Sequence, residues 1–507
     1  MQKRVTPGHL DAPKDRLRQR VLHGTLATSL AQAIKFAVQL LSVVILSRML
    51  DPASFGLFAM VMPIAAFVMM FQDMGLSNAV ITSTTLSHAQ ASAMFWINCG
   101  LSLALALLFA AVAPVIGWFY GDTRLPVLAL ALAGTVMIAG LTTQHFALLN
   151  RGMRFGAIAL IDSLSALAGL GVAVVVALYS RSAWALVASV VASMGVGLVG
   201  GWIATGWRPG RPAPFAEVRE MVGLGGGLTS FTLTNFLARN MDKVLIGRVG
   251  GAVEVGLYDR AYKLLLFPLQ QVNNPVGRVI VPALSRLRDE PGRYRAAYGR
   301  VVRFMLLLTL PGVAFLIVYA PLLIPTLLGG HWATAVPIFL WLGLAAIHQP
   351  MTATTGWLFI SQQRGADFAK WGVVNAVTSI VAFAIGMPWG AVGVAAAYGF
   401  SDLLIRMPAV FWWVGRRGPV SSRDLIRIAA PFLPVVPAVM LALLGLRDAL
   451  PGGDVVRLIA GAGLSYLLTI LALATLPQGR AILRDIASHA PGRRRGAPAM
   501  TAEMAGG

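Results

Sequence analysis

Seven cationic side chains stand inside stretches apolar enough to cross a bilayer: Lys35, Arg239, Lys243, Arg260, Lys263, Arg278 and Arg406. A charge at the middle of a membrane helix costs at least about 2.5 kcal/mol on insertion scales, so such residues are kept for function or paired away. The acids at the same depth are fewer, Asp162, Asp242, Asp259 and Asp402, and the span interiors lean positive. An interior of that sign suits an anion. Helical spacing gathers these groups into stripes. Gln32, Lys35 and Gln39 share one helical face with Thr28; Thr232, Asn235, Arg239 and Asp242 share another; Arg260, Lys263, Gln270, Asn274 and Arg278 form a third with Phe267, interrupted by Pro268 and Pro275. Three mostly basic faces imply a water-filled cavity that holds an anionic group without covalent chemistry, with Lys35 and Arg239 the deepest. The blander reading is local neutralisation: Asp259 with Lys263 and Asp402 with Arg406 are both four residues apart on a helix, and residues near span ends can reach the headgroups.

Motifs for chemistry of other kinds are missing. The seven histidines form no pair at ligand spacing, Cys99 is alone, and no Walker loop or metalloprotease pattern occurs, so neither a cofactor nor a metal is expected. The run Gly223 to Leu228 has no Lys-Ser/Thr ending and reads as close helix packing. The Met-rich stretch 60–74 reads as adaptable packing, and His348-Gln349-Pro350 as a kink or hinge within a span.

The elements that must position the stripes are membrane helices. The chain has 507 residues, of which 57% are hydrophobic and 12% charged, against about 25% charged in soluble domains. Runs of 18 or more apolar residues recur throughout, the length a bilayer requires. The expectation is an all-α polytopic membrane protein of about fourteen transmembrane helices, built as two pseudo-symmetric six-helix lobes plus two C-terminal helices. The two lobes are visible as a repeat at an offset of 200 positions. Gln32, Lys35, Phe36 and Gln39 fall on Thr232, Asn235, Phe236 and Arg239, and the register continues through Arg48/Arg248, Gly56/Gly256 and Phe58/Tyr258. A duplicated membrane unit with polar residues at depth is the pattern of a transporter, whose repeats meet at a central site. The boundaries expected are a basic N-terminal tail 1–23, an N-lobe 24–205, a linker 206–222, a C-lobe 223–414, two further spans within 427–476, and a disordered tail 477–507.

The net charge of +21 reads as membrane topology rather than nucleic-acid binding. With both termini cytoplasmic, only Arg48, Arg124, Arg181, Arg248, Arg447 and Arg457 fall on the outer side, while tails and inner loops hold most of the rest, as the positive-inside rule requires. The basic segment from Arg286 to Arg303 reads as an amphipathic surface segment or an ordinary charged loop.

Several short motifs resemble one family. Leu46-Ser47-Arg48-Met49-Leu50-Asp51-Pro52 with Phe55-Gly56, then Asn240-Met241-Asp242-Lys243 through Gly247-Arg248 with Gly256-Leu257-Tyr258, resemble the polysaccharide-transporter branch of the MOP flippase superfamily. So do Gly330-His331-Trp332 with Ala335 and Pro337, and Trp389-Gly390-Ala391 with Gly393 and Ala395-Ala396. Within that branch the chain resembles the Wzx-type lipopolysaccharide, O-antigen and exopolysaccharide exporters. The resemblance implies a bacterial inner-membrane flippase that carries undecaprenyl-diphosphate-linked oligosaccharide from the cytoplasmic to the periplasmic leaflet by ion-coupled alternating access. It makes Lys35, Arg239, Lys243, Arg260, Lys263 and Arg278 the candidates for holding the diphosphate and Asp242 or Asp402 the candidate for coupling an ion, with a polysaccharide polymerase and chain-length machinery as candidate partners. Two relatives of that fold stand as alternatives, a lipid-linked peptidoglycan precursor flippase and a multidrug antiporter. A membrane polymerase or ligase, the alternative of another class, needs a large outer loop, and no such loop is expected here.

Overall fold

The computed structural model describes residues 17–73, 75–83, 85–214 and 229–488, without the side chains of 17–30, 73, 229–239 and 267–268. Every regular element among them is helical. Eleven stretches are long and apolar enough to cross a membrane, and the chain is a multi-pass membrane protein. One of them, Gly365–Gly415, is broken at Met387–Trp389 into more than one helix. A further helix, Thr229–Arg286, is split by a kink at Gly251 and is more charged than those stretches. These breaks make the model compatible with fourteen spans.

In chain order the first half holds α1 (Leu17–Met49), α2 (Pro52–Asp73), the short α3 (Leu76–Thr82), α4 (His88–Tyr120), α5 (Leu125–Arg151), α6 (Phe155–Ser180) and α7 (Trp184–Thr205). The second half holds α8 (Thr229–Arg286), α9 (Pro291–Val318), α10 (Ala320–Leu328), α11 (Val336–Ser361), α12 (Gly365–Gly386), α13 (Gly390–Ser401) and α14 (Met407–Gly415). It ends in α15 (Ser422–Ala429), α16 (Phe432–Leu446), α17 (Asp454–Thr475) and α18 (Pro477–Ser488).

The helix ends follow from sequence. Pro52 opens α2, where its missing N–H costs nothing, and Asp51 Oδ1 accepts the Ser54 N–H at 2.9 Å. Ser87 and Gln90 form a reciprocal capping box ahead of α4, and Gly121 ends α4 at φ 71°. Beyond it, Asp122 and Arg124 pair at 2.7 Å, and that guanidinium holds the Asp122 carboxyl below the ordinary carboxylate range. Helix faces meet through small residues, as they must where lipid removes the hydrophobic drive for association. Gly140 of α5 packs on Ser102 of α4, and Gly169 of α6 on Ser193 of α7.

The chain forms two compact units. The first comprises Met1–Lys263, Ile324–Trp341 and Gly372–Ser401, and the second Leu264–Leu323, Leu342–Trp371 and Asp402–Gly507. The first therefore unites the N-lobe with parts of the second repeat. Its buried core at one end joins Val80 of α3, Met94, Phe95 and Cys99 of α4, Leu148 of α5 and Trp207. The start of the expected linker is stitched to this core: Gly210 N–H donates to Ser92 Oγ at 2.9 Å, and Ala213 N–H to the Ala89 carbonyl at 3.0 Å. Residues 215–228 lie outside the described residues.

Two expectations about surface segments are revised. The basic stretch 286–303 is no separate surface helix. A turn after Arg286 leads to Pro291, which starts a helix that runs unbroken into the apolar span ending at Val318. The stretch from residue 477, expected to be a disordered tail, begins with α18, which Pro477 can initiate. It packs by Gly479 against the Leu473 carbonyl and by buried Ile482, and Asp485 pairs with Arg300 at 3.2 Å. Residues 489–507 of that stretch lie outside the described residues.

Candidate functional site

The densest set of charges lies on the two arms of α8. Gly251, at φ 73° and ψ −171°, breaks that helix into an arm ending near residue 250 and an arm starting at 252, and a left-handed φ of this kind is one that glycine adopts without a steric cost. Lys243 on the first arm and Asp259 on the second face each other, with Lys243 Nζ 2.8 Å from Asp259 Oδ1. One turn further along, Lys263 Nζ lies 2.7 Å from Asp259 Oδ2. One carboxylate thus bridges two ammonium groups. Asp242 is buried beside them and accepts the backbone N–H of Lys243 at 2.8 Å, while Arg260 is buried with its guanidinium 3.6 Å from the centre of the Phe55 ring. Desolvated contacts of this last type are worth about 2 kcal/mol or more. Three cations face two carboxylates, and the set keeps a net positive charge. Exposure is graded across it: the side chain of Asp259 is 2% exposed, that of Lys243 15% and that of Lys263 46%. Lys263 is the most exposed member of the set.

The same unit contains a tight crossing above this cluster. The start of α2 meets the start of the second α8 arm so closely that a methyl group on Gly56 would strike the Ala252 carbonyl, and one on Gly256 the Pro52 carbonyl. Residues 52 and 56 correspond to 252 and 256 in the repeat, so the contact is related to itself by the pseudo-symmetry. Around it Arg48 donates to the carbonyls of Thr326 and Leu327, Trp332 Nε1–H donates to the Ser47 carbonyl at 2.7 Å, and Phe55 packs 5.5 Å from Trp332. Arg248, the repeat partner of Arg48, lies over Phe119 at 5.9 Å. Glu254, in the same region, accepts the Ala391 N–H at 2.8 Å and so caps the first turn of α13.

Other candidates lie apart from this cluster. Lys35 on α1 stands 3.9 Å from Asp162 on α6, with side chains 51% and 44% exposed, and Gln32 and Gln39 on the same stripe are exposed. Lys35 therefore has its counter-ion on a neighbouring helix, which spacing along α1 could not reveal. In the second unit Asp402 starts a five-residue π-helical turn. Its Oδ1 lies 3.1 Å from Arg406 Nε and its Oδ2 3.4 Å from His348 Nε2, all three residues being inaccessible or nearly so. Gln270, Asn274 and Arg278 are exposed on the second arm of α8, which stays helical across Pro268 and Pro275. The side chains of Thr232, Asn235 and Arg239, and of Thr28 and Phe267, lie outside the described residues. Sequence reasoning ranked Lys35 and Arg239 first and left Asp259, Phe55 and Glu254 out of the site. The four-residue step from Asp259 to Lys263 was the available signal for the first.

Comparison with known proteins decides the lineage. Residues 45–337 match the family model described as "Polysaccharide biosynthesis protein". The chain belongs to this family. Among curated family relatives it is 25% identical over 388 residues to the lipopolysaccharide biosynthesis protein WzxC of Escherichia coli, covering 75% of this chain and 78% of that protein. It is 26% identical to the succinoglycan biosynthesis transport protein ExoT of Rhizobium meliloti, across 92% of this chain and 95% of that protein. The teichuronic acid biosynthesis protein TuaB of Bacillus subtilis is 25% identical over 70% of this chain and 73% of its own. Among solved structures, the fold of this polysaccharide biosynthesis protein is similar to that of the lipid II flippase MurJ in an inward closed conformation, with a TM-score of 0.70, 12% identity and coverage of 91% of this chain and 100% of that one. It is also similar to an inward-facing multidrug transporter of the MATE family within the MOP superfamily, with a TM-score of 0.57, 15% identity and coverage of 80% and 98%. The fold is therefore the one shared by MurJ and that MATE protein.

Proposed function

We propose that this protein is a flippase for undecaprenyl-diphosphate-linked oligosaccharide, a lipopolysaccharide O-unit or exopolysaccharide repeat, which it moves from the cytoplasmic to the periplasmic leaflet of a bacterial inner membrane. The carrying observation is the α8 cluster, in which Lys243, Lys263 and Arg260 outnumber Asp242 and Asp259. A diphosphate-sugar headgroup cannot cross hydrocarbon unaided, whereas its polyprenyl chain can stay in lipid. A transporter of this substrate must supply fixed positive charge for the diphosphate and a polar path for the sugar, and needs no bond made or broken. Family membership and relatives named for lipopolysaccharide, succinoglycan and teichuronic acid biosynthesis support the glycan half of the reading. The MurJ-like fold supports the lipid half.

In this scheme Lys243, Lys263 and Arg260 hold the diphosphate, and Lys35, Arg239 and Arg278 extend the cationic path. Asp402 with His348, or Asp242, takes the coupling ion. In this reading, which the positive-inside bias supports, both termini lie in the cytoplasm and the crossing of Gly56 with Gly256 faces the periplasm. The polymerase and chain-length machinery are the partners that would receive the product.

Reconstitution in liposomes provides the test. With a fluorescent undecaprenyl-diphosphate oligosaccharide, Lys243→Gln combined with Lys263→Gln should cut translocation by about tenfold or more, the scale on which losing one partner of a buried ion pair is felt. The variant must still insert and stay monodisperse for the loss to count against transport. Wild-type rates in the double variant would remove the cluster from the substrate path.

A further inference from the structure

The carboxylate between the two lysines raises a question that a simple binding site does not. A cavity evolved only to attract a diphosphate gains nothing from an acid at its centre, because Asp259 occupies the donors of both Lys243 and Lys263 at 2.8 and 2.7 Å. A carboxylate and a phosphate present the same feature to an ammonium group, a pair of oxygens sharing negative charge on one centre. Its side chain is 2% exposed and those of Lys243 and Lys263 15% and 46%, so the most buried member of the set is the carboxylate that pairs with both lysines.

We infer that Asp259 is an exchangeable internal counter-ion, a stand-in for the substrate's phosphate that yields Lys263 and then Lys243 to the diphosphate on loading and reclaims them on release. This inference rests on the reading of the α8 cluster as the headgroup site. Two consequences follow from the geometry. Loading costs the breaking of one carboxylate–lysine contact for each new phosphate–lysine contact, so the site binds its ligand only moderately and lets it go. The empty transporter keeps a locally balanced cluster, so it can complete the return half of its cycle without a buried net charge left bare, which is costly in a low dielectric. Asp259 is then a positioning residue, acting through the lysines. The adjacent Arg260, held over Phe55 at 3.6 Å, ties the same turn of helix to the start of α2.

The measurement compares Asp259→Asn, Asp259→Glu and Asp259→Asn/Lys243→Gln with wild type, all as full-length protein in nanodiscs, with undecaprenyl diphosphate as the binding probe and the fluorescent lipid-linked oligosaccharide in liposomes for turnover. Asp259→Asn should bind the diphosphate about tenfold more tightly, the change expected when a charge-assisted contact is returned to the ligand, and should lower KM and kcat together because release slows. Asp259→Glu should stay near wild type, and the double variant, with its charge rebalanced, should return binding toward the wild-type value. Unchanged or weaker binding in Asp259→Asn, while Lys243→Gln alone weakens binding, would overturn the exchange and leave the headgroup site standing. Binding indifferent to both residues would overturn the site and the exchange together. If Asp259→Asn fails to fold, wild-type protein carrying ¹³C-aspartate still answers. Added diphosphate should shift an infrared carboxylate band that is missing in Asp259→Glu, and a band that does not move would refute the exchange.

Discussion

Lys35 and Asp162 pose the sharpest question at the scale of single residues. They lie 3.9 Å apart with side chains about half exposed, a geometry that in water would be worth little. Inside a span it neutralises two groups that each cost several kcal/mol alone. Reversing the pair separates structure from transport. Lys35→Asp with Asp162→Lys should insert and fold as well as wild type, whereas Lys35→Ala alone should lower expression or thermal stability. If the Lys35 cation also touches the substrate, the reversed protein should still lose most of its translocation in the liposome assay. Full activity in the reversed protein would make the pair purely structural. Spacing along one helix announced Asp259 with Lys263 and Asp402 with Arg406, both seen as ion pairs at 2.7 and 3.1 Å. It could not announce Lys243 with Asp259, because those two meet only after Gly251 folds α8 back on itself. Lys35 with Asp162, and Arg260 with Phe55, were hidden for the same reason: each joins helices far apart in sequence.

At the scale of elements, the crossing of α2 with the second α8 arm is where the two repeats touch most closely. Ala252 to Gly256 is a small residue, three spacers, small residue pattern that lets helix backbones approach, and its repeat equivalent keeps the glycine at Gly56 with Pro52 in the first place. Adding one methyl group there forces apart two carbonyl–glycine contacts, and overpacking of that type typically costs about 1–3 kcal/mol. Gly256→Ala should therefore bias the crossing toward its parted state. A cysteine introduced at Ser54, which is 7% exposed in the intact contact, should then react with a membrane-impermeant maleimide roughly tenfold faster, since about 1.4 kcal/mol is one decade in population. The buried native Cys99 gives a slow background. Unchanged labelling would mean that this contact does not open. The repeat itself was legible from the offset of 200 positions. That its two glycines face each other was not, because a sequence offset says which residues are equivalent and not which are in contact. The last helix was harder: α18 begins where charge and small residues suggested disorder, and its contacts, Gly479 on Leu473, buried Ile482 and Asp485 with Arg300, are tertiary ones that the local sequence does not announce.

Across the whole molecule the scaffold is duplicated and the chemistry is not. The residues 200 positions before Lys243, Asp259, Arg260 and Lys263 are Val43, Ala59, Met60 and Pro63, so one repeat has an apolar version of the cluster that the other charges. Under the proposed function, pseudo-symmetry would supply matching helices to move against one another, and the asymmetric charge would give the substrate one lobe to follow. Direction then depends on which way the molecule sits in the membrane. On the proposed topology, which the distribution of basic residues suggests, Arg181 between α6 and α7 lies on the periplasmic side and Arg417 after α14 on the cytoplasmic side. Single cysteines at these two positions, probed in intact cells with an impermeant reagent and again after permeabilisation, should label from opposite faces, the first without permeabilisation and the second only after it. Labelling from one face would break the span count between them. Labelling with the two faces exchanged would put the crossing of Gly56 with Gly256 on the cytoplasmic side, and the proposed route from inner to outer leaflet would have to run the other way through the same cluster.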